Sequence, residues 1–184
     1  MTRTKLTFAS LFSTLLMLLS IEILLGVQVF AQLEYKDQFG KLSIQLPQNW
    51  TISSSTVKEN SVAISIDSSD QDPVTITMIA SNRGTRASQD TFEQVIREQN
   101  RDTVSALPGA TLVQDTDCIK YTIDGHKACS VVYTVSRHQY TQKNMDVNFV
   151  TEKQDFTLSV TGPIDNFDKN LPIVEKILYS IKSP

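Results

Sequence analysis

The chain has 184 residues, 40% of them hydrophobic, and its 17 basic and 20 acidic residues give a net charge of −3. About 150 to 180 residues hold one hydrophobic core comfortably and two poorly. A mildly acidic chain without basic clusters lacks the electrostatic footprint that nucleic acid or an anionic membrane surface requires.

Arg3 and Lys5 precede an apolar run from Leu6 to Leu19 that continues through Ile21, Ile23, Leu24 and Leu25 to Val29-Phe30-Ala31. A short positive region, an apolar stretch and a final small residue read as a secretory signal segment over residues 1–31, with cleavage between Ala31 and Gln32. The alternative is an uncleaved anchor, since Leu6 to Ala31 is long enough to cross a hydrocarbon layer of about 30 Å. Glu22 speaks against it, because a carboxylate near the middle of a lipid-exposed helix costs a few kcal/mol. No cysteine follows the run, so a lipoprotein-type anchor is not expected. Either reading leaves one domain, residues 32–184, outside the cytoplasm, secreted or held at the outer face of the membrane. Loss of Arg3, Lys5 and Glu22 would leave 15 basic and 19 acidic residues, a charge of −4.

Leu33 to Phe39 is a short lead-in. Leu42-Ser-Ile-Gln-Leu46 alternates apolar and polar residues and stops at Pro47, the pattern of a half-buried strand. Trp50 and Ile52 resume the alternation; Val62 to Ile66 and Val74 to Ile79 give two more strands around the polar turn Asp67 to Pro73. After Ser88 the period changes. Asp90-Thr-Phe-Glu93 has the form of a capping box, and Phe92, Val95 and Ile96 line one face of a helix to about Val104. Pro108-Gly109 ends it. A long hairpin follows, Thr111 to Ile123 against Lys127 to Ser136, then strands from Met145 to Thr151 and Phe156 to Thr161. Gly162-Pro163 breaks the pattern, and Asn170-Leu-Pro172 introduces a second helix carrying Ile173, Val174, Ile177, Leu178 and Ile181. Hairpin-joined strands interrupted by one helix and closed by another predict an α+β domain, a mainly antiparallel sheet with helices packed on it.

Cys118 and Cys129 lie eleven residues apart across Ile123-Asp124-Gly125-His126. In an exported chain an even cysteine count favours a disulfide. A two-residue turn at Asp124-Gly125 would set Cys129 opposite Lys120 with Cys118 diagonal to it; a four-residue loop would set the cysteines directly opposite. Both permit a bridge, provided the Cα atoms come within about 7 Å. Other chemistry is sparse. His126 sits in a tight turn and His138 in a polar segment, and neither is accompanied by a nucleophile elbow, a phosphate-cradling loop or a His-Glu-x-x-His motif. No enzymatic activity is expected. Asp67, Asp70 and Asp72 are a candidate Ca²⁺ cluster, although the EF-hand glycine and distal glutamate are missing and a solvated turn is the simpler reading. Asn49-Trp50-Thr51 is a formal N-glycosylation acceptor. Arg83, Arg86, Arg97 and Arg101 form either a basic patch or helix charges paired with Glu93 and Glu98.

Several strings resemble the PsbP-like family. Phe39-Gly40-Lys41-Leu42-Ser43-Ile44-Gln45-Leu46-Pro47-Gln48-Asn49-Trp50 is similar to that family's opening strand, Gly-x-x-Ile-x-x-Pro-x-x-Trp. Thr122 to Ala128, Val132-Tyr133-Thr134 and Leu171 to Lys176 resemble exported members from ammonia-oxidising archaea. The resemblance runs through residues 33–182 and implies an α/β/α sandwich around an antiparallel sheet. The best-known member of the family is an extrinsic photosystem II subunit that helps retain calcium and chloride; a plant-type N-terminal extension is not recognisable here, and that member's role is not expected to carry over. What carries over is the expectation of a non-catalytic module that binds or stabilises a protein partner, such as a membrane complex. The second expectation is an ion- or small-ligand-binding protein with its site on one face of the sheet, calcium being the named ion.

Overall fold

The computed structural model describes residues 33–38, 42–83 and 89–183, without the side chains of Gln89 and Asp90. The expected signal segment lies outside them, as do Arg86, Phe39-Gly40-Lys41 and the expected capping side chain of Asp90. In chain order come β1 (Leu33–Lys36), β2 (Ser43–Leu46), β3 (Trp50–Lys58), β4 (Ser61–Ser68) and β5 (Thr75–Asn82). Helix α1 (Gln89–Ala106) leads into β6 (Ala110–Ile123), β7 (His126–Arg137), β8 (Tyr140–Val150) and β9 (Gln154–Pro163), and α2 (Ile164–Ser180) follows. Strands β1 and β2 form a two-stranded ribbon; the other seven form one sheet in the order β3-β4-β5-β9-β8-β7-β6. Every pairing is antiparallel, as expected. Residues 32–184 form one compact unit.

Alternation explains the main core. On β4, Val62, Ile64 and Ile66 point inward between Ser61, Ala63, Ser65 and Asp67, and β5 repeats the pattern with Ile76, Met78 and Ala80. Met145, Val147 and Phe149 of β8 and Phe156, Leu158 and Val160 of β9 share that face. Helix α2 seals it with Phe167, Val174, Ile177 and Leu178, helped by Leu42, Ile44, Leu46 and Trp50. Full burial of each such side chain stabilises by about 1.5–3 kcal/mol. Phe149 and Phe156 are cross-strand partners and stack at 4.4 Å between centroids. The ribbon is tied to the end of the chain by paired backbone bonds between Ser43 and Lys182, 2.9 and 3.0 Å.

Several boundaries differ from the sequence expectation: β9 runs Gln154–Pro163, taking in both Gln154-Asp155 of the expected turn and the expected break at Gly162-Pro163, because these residues pair with β5 or β8. Helix α2 begins at Ile164, not near Pro172, which sits inside it. Its first two turns bury only Phe167 and Asn170, and the Asn170 amide donates to Asp70 at 2.9 Å. Strand β8 begins at Tyr140 rather than Met145 because its first residues are polar on both faces and pair with β7 regardless. Helix α1 begins at Gln89, so Asp90 lies in its first turn rather than before it.

Candidate functional site

The opposite face of the sheet is divided. Helix α1 packs on β6 and β7 in two small apolar groups: Ile96 and Phe92 with Cys118 and Cys129, and Val104 with Val131, Tyr133 and Leu107. Two polar tethers reinforce this docking: Asn100 donates to the Thr116 hydroxyl at 3.1 Å, and Arg97 donates to the Thr116 carbonyl. Beyond α1, the outward positions of β8, β9, β5 and β4 are mostly polar. Register aligns them in rows: Asn144, Thr161, Thr75 and Asp67; then Asp146, Ser159, Thr77 and Ser65; then Asn148 and Thr157.

The hydroxyl on β9 donates to its β8 partner in each row, Thr161 to Asn144 at 2.9 Å, Ser159 to Asp146 at 2.6 Å and Thr157 to Asn148 at 3.1 Å. Asp146 also accepts from the Tyr133 hydroxyl at 3.1 Å. Burial, and then the Asp146 carboxylate, push the Tyr133 phenol up, so it stays a hydrogen-bond donor. Where α1 meets these rows there is a cleft of about 320 Å³, with Phe92, Val95 and Ile96 on the helix side and Asn148 and Thr157 on the floor. Arg83 closes one end, ion-paired with Asp155 at 3.5 Å and donating to the Thr151 carbonyl.

A second feature lies on the edge strand β6. The hairpin turns at Asp124 and Gly125, both with positive φ (50° and 81°), the arrangement of a type I′ turn. Tyr121 then pairs with Ala128 and Asp117 with Ser130, so residues 118–120 bulge opposite Cys129 alone. The bulge, rather than either expected register, brings Cys118 and Cys129 together, 3.9 Å apart at Cα and bonded. Asp117 accepts the Ile119 N–H at 2.7 Å. Ile119 is thereby turned outward, 89% exposed, on a covalently fixed backbone. Beside it Lys120 pairs with Glu175 of α2 at 3.1 Å, Tyr121 donates to the same carboxylate at 2.8 Å, and half-exposed Tyr179 lies 6.2 Å from the Tyr121 ring.

The structure sets the aspartates, the histidines and the arginines of the sequence expectation apart from one another. The three aspartates face different partners: Asp67 accepts from Thr75 at 2.7 Å, Asp70 from Ser68, Lys169 and Asn170, and the Asp72 carbonyl from Asn166. Among the described residues no group of three His, Cys, Asp or Glu side chains converges to hold a metal ion. Asn49 is exposed in the turn before β3. His126 begins β7, and His138 is exposed in the β7–β8 turn with φ 55°. Arg97 donates to the Thr116 carbonyl of β6, and it and Arg101 share a surface of α1 with Glu93 and Glu98. The polar rows and Ile119 were not singled out. The rows were visible as Thr157, Ser159 and Thr161 alternating outward, but their β8 partners emerge only from the register.

No family profile matches the chain, and no curated protein is significantly similar to it. Solved structures do match. LpqN of Mycobacterium tuberculosis, described as involved in cell envelope biogenesis, superposes with a TM-score of 0.61 at 14% identity, over 84% of this chain and 92% of LpqN. Cyanobacterial PsbP from Synechocystis gives 0.57 at 12% identity, over 86% and 96%. The Ran-binding protein Mog1p of Saccharomyces cerevisiae gives 0.52 at 9% identity, over 84% and 96%. An antiparallel sheet with a helix on each face is what these three share with this chain, which therefore carries the PsbP-like α+β fold that its sequence led one to expect.

Proposed function

We propose that this chain is an exported, non-catalytic binding domain that holds or stabilises a protein partner outside the cytoplasm, in a membrane-associated complex. Ile119 is the observation that carries this reading. A large aliphatic side chain 89% exposed on a disulfide-fixed bulge gains nothing for the fold, whereas an apolar anchor held on a rigid backbone and seated in a partner's pocket is a core element of a protein interface. Asp117 precedes the knob and Lys120, paired with Glu175, follows it, so the partner surface is an apolar socket with polar groups of both signs at its rim. The disulfide is in keeping with an oxidising compartment. Mog1p is by its description a Ran-binding protein and LpqN acts in envelope biogenesis, so partner binding suits this fold, while fold alone names no partner.

The test is a photo-crosslinking amino acid placed at position 119, in membranes of the cells that make the protein. One reproducible adduct is expected, absent when the crosslinker stands at exposed Lys58 on the far edge strand, and competed by unlabelled protein but not by the Ile119→Asp variant. Equal competition by that variant, or no adduct at 119, would overturn the proposal. The substitution is at an exposed site and should change stability by no more than about 0.5 kcal/mol.

A further inference from the structure

The cleft beside α1, at about 320 Å³, falls in the size range of small-ligand sites. Its floor continues beyond it. Register carries the Thr157–Asn148 row into the Ser159–Asp146 row and then into the Thr161–Asn144 row, each about 6.7 Å further along the strands. In every row the β9 hydroxyl spends its proton on β8, so its oxygen remains able to accept, while asparagine amides offer N–H groups. At the last row Asn144 is only 7% exposed, and its Nδ2 has no acceptor among the described residues. A buried amide donor left without an acceptor is costly. A ligand oxygen on the floor would supply one when the Asn144 side chain turns toward the open face.

The lining rejects other ligand classes. An acyl chain would cover the rows without replacing the water they bind. A polyanion would meet the Asp146 carboxylate on the floor, and the Arg83 guanidinium at the cleft is already paired with Asp155. A peptide that docks by backbone pairing needs a strand edge, and β8 and β9 are interior strands. A run of neutral hydroxyls fits: it supplies alternating donors and acceptors to the rows, and its C–H faces can lie against Phe92 and Val95. We propose that the α1 cleft and the β8–β9 floor bind a neutral polyhydroxylated ligand, an oligosaccharide lying along the strands. This site is distinct from the Ile119 surface, so each reading can fail without the other.

The test is two-dimensional NMR of the isotope-labelled full chain with cellohexaose, maltohexaose and chitohexaose, each titrated to about 10 mM, enough to detect millimolar binding. At least one is expected to shift the Asn144 and Asn148 side-chain amides and the Thr157 backbone amide saturably. Thr157→Val and Val95→Asp, both at exposed positions, should each weaken that binding about tenfold, a loss of about 1.4 kcal/mol. Ile119→Asp should leave it unchanged. No saturable shift with any of the three sugars, shifts confined to other surfaces, or affinity unaffected by both cleft variants would overturn the proposal.

Discussion

Beneath α2 the sheet presents Ile64, Ile76, Met78, Phe156 and Leu158, all buried and apolar, whereas on the α1 side the same strands present Ser65, Thr75, Thr77, Thr157 and Ser159. The α2 side is sealed by continuous packing. The α1 side relies on two small apolar groups, one disulfide and a set of directional hydrogen bonds. Packing stabilises in proportion to the area it covers and therefore closes a face, but a covalent bond and side-chain hydrogen bonds fix geometry while leaving surface open. The fold thus concentrates its stability on one side and its exposed chemistry on the other.

The stacked phenylalanines put the division between the two sides to its hardest test. Phe156→Ala removes a fully buried ring under the continuous core and is expected to cost about 3–5 kcal/mol in urea denaturation. A loss below about 1 kcal/mol would show that the α2 side is not the main store of stability. Replacing Cys118 and Cys129 together by alanine should cost less, about 2–3 kcal/mol, with the main core intact. In that double variant the amides of α1 and β6 should lose hydrogen-exchange protection before those of β4 and β5. Uniform loss would contradict the division.

The smallest effect concerns pH. Hydrogen bonds from Asn170 and Ser68, against a burial penalty, hold the Asp70 carboxyl below its usual range. Burial raises Glu175, but the Tyr121 hydroxyl and Lys120 outweigh it; burial raises Asp124, and Ser183 and Lys182 outweigh that. A carboxyl whose folded pKa is depressed contributes stability above its unfolded value, near 4 for these residues, and loses it as pH falls through the folded one. All three latch α2 or the chain end to the rest. The urea midpoint should therefore fall on acidification below about pH 4. Asp70→Asn should lower the neutral midpoint slightly and flatten that fall; an unaltered acid dependence would show that Asp70 is not a latch.

How much of this could be read from the sequence depended on whether a residue's partner was local. Val62, Ile64 and Ile66 show their strand because one side packs and the other is wet. The hairpin turn at Asp124-Gly125 shows because only a few residues tolerate its backbone. Pro172 misplaced the start of α2, since proline ordinarily opens a helix rather than sitting inside it, and the one inward polar residue before it, Asn170, finds its partner Asp70 a hundred positions away. Ile119, an apolar residue in a strand, would be assigned inward by pattern alone; the three-residue bulge that turns it out depends on how Cys118 reaches Cys129. The floor rows were half legible, as hydroxyls without their amides. The candidate site was thus largely a matter of register, while the fold was largely a matter of period.

The central pairing of β5 with β9 joins two chain-local meanders, β3-β4-β5 and β6-β7-β8-β9. Its register sets Thr75 against Thr161 and Ile76 against Val160, so this seam closes only after most of the chain has been made. Contacts that distant in sequence slow folding, and each meander must wait with one apolar strand uncovered. Gly162 marks how tightly the seam finally shuts: a Cβ there would come within 2.9 Å of Val74 Cγ2. A polypeptide cut between α1 and β6 would divide the domain into two fragments with matching unfinished edges, and the protein is in that sense built as a pair of complementary halves.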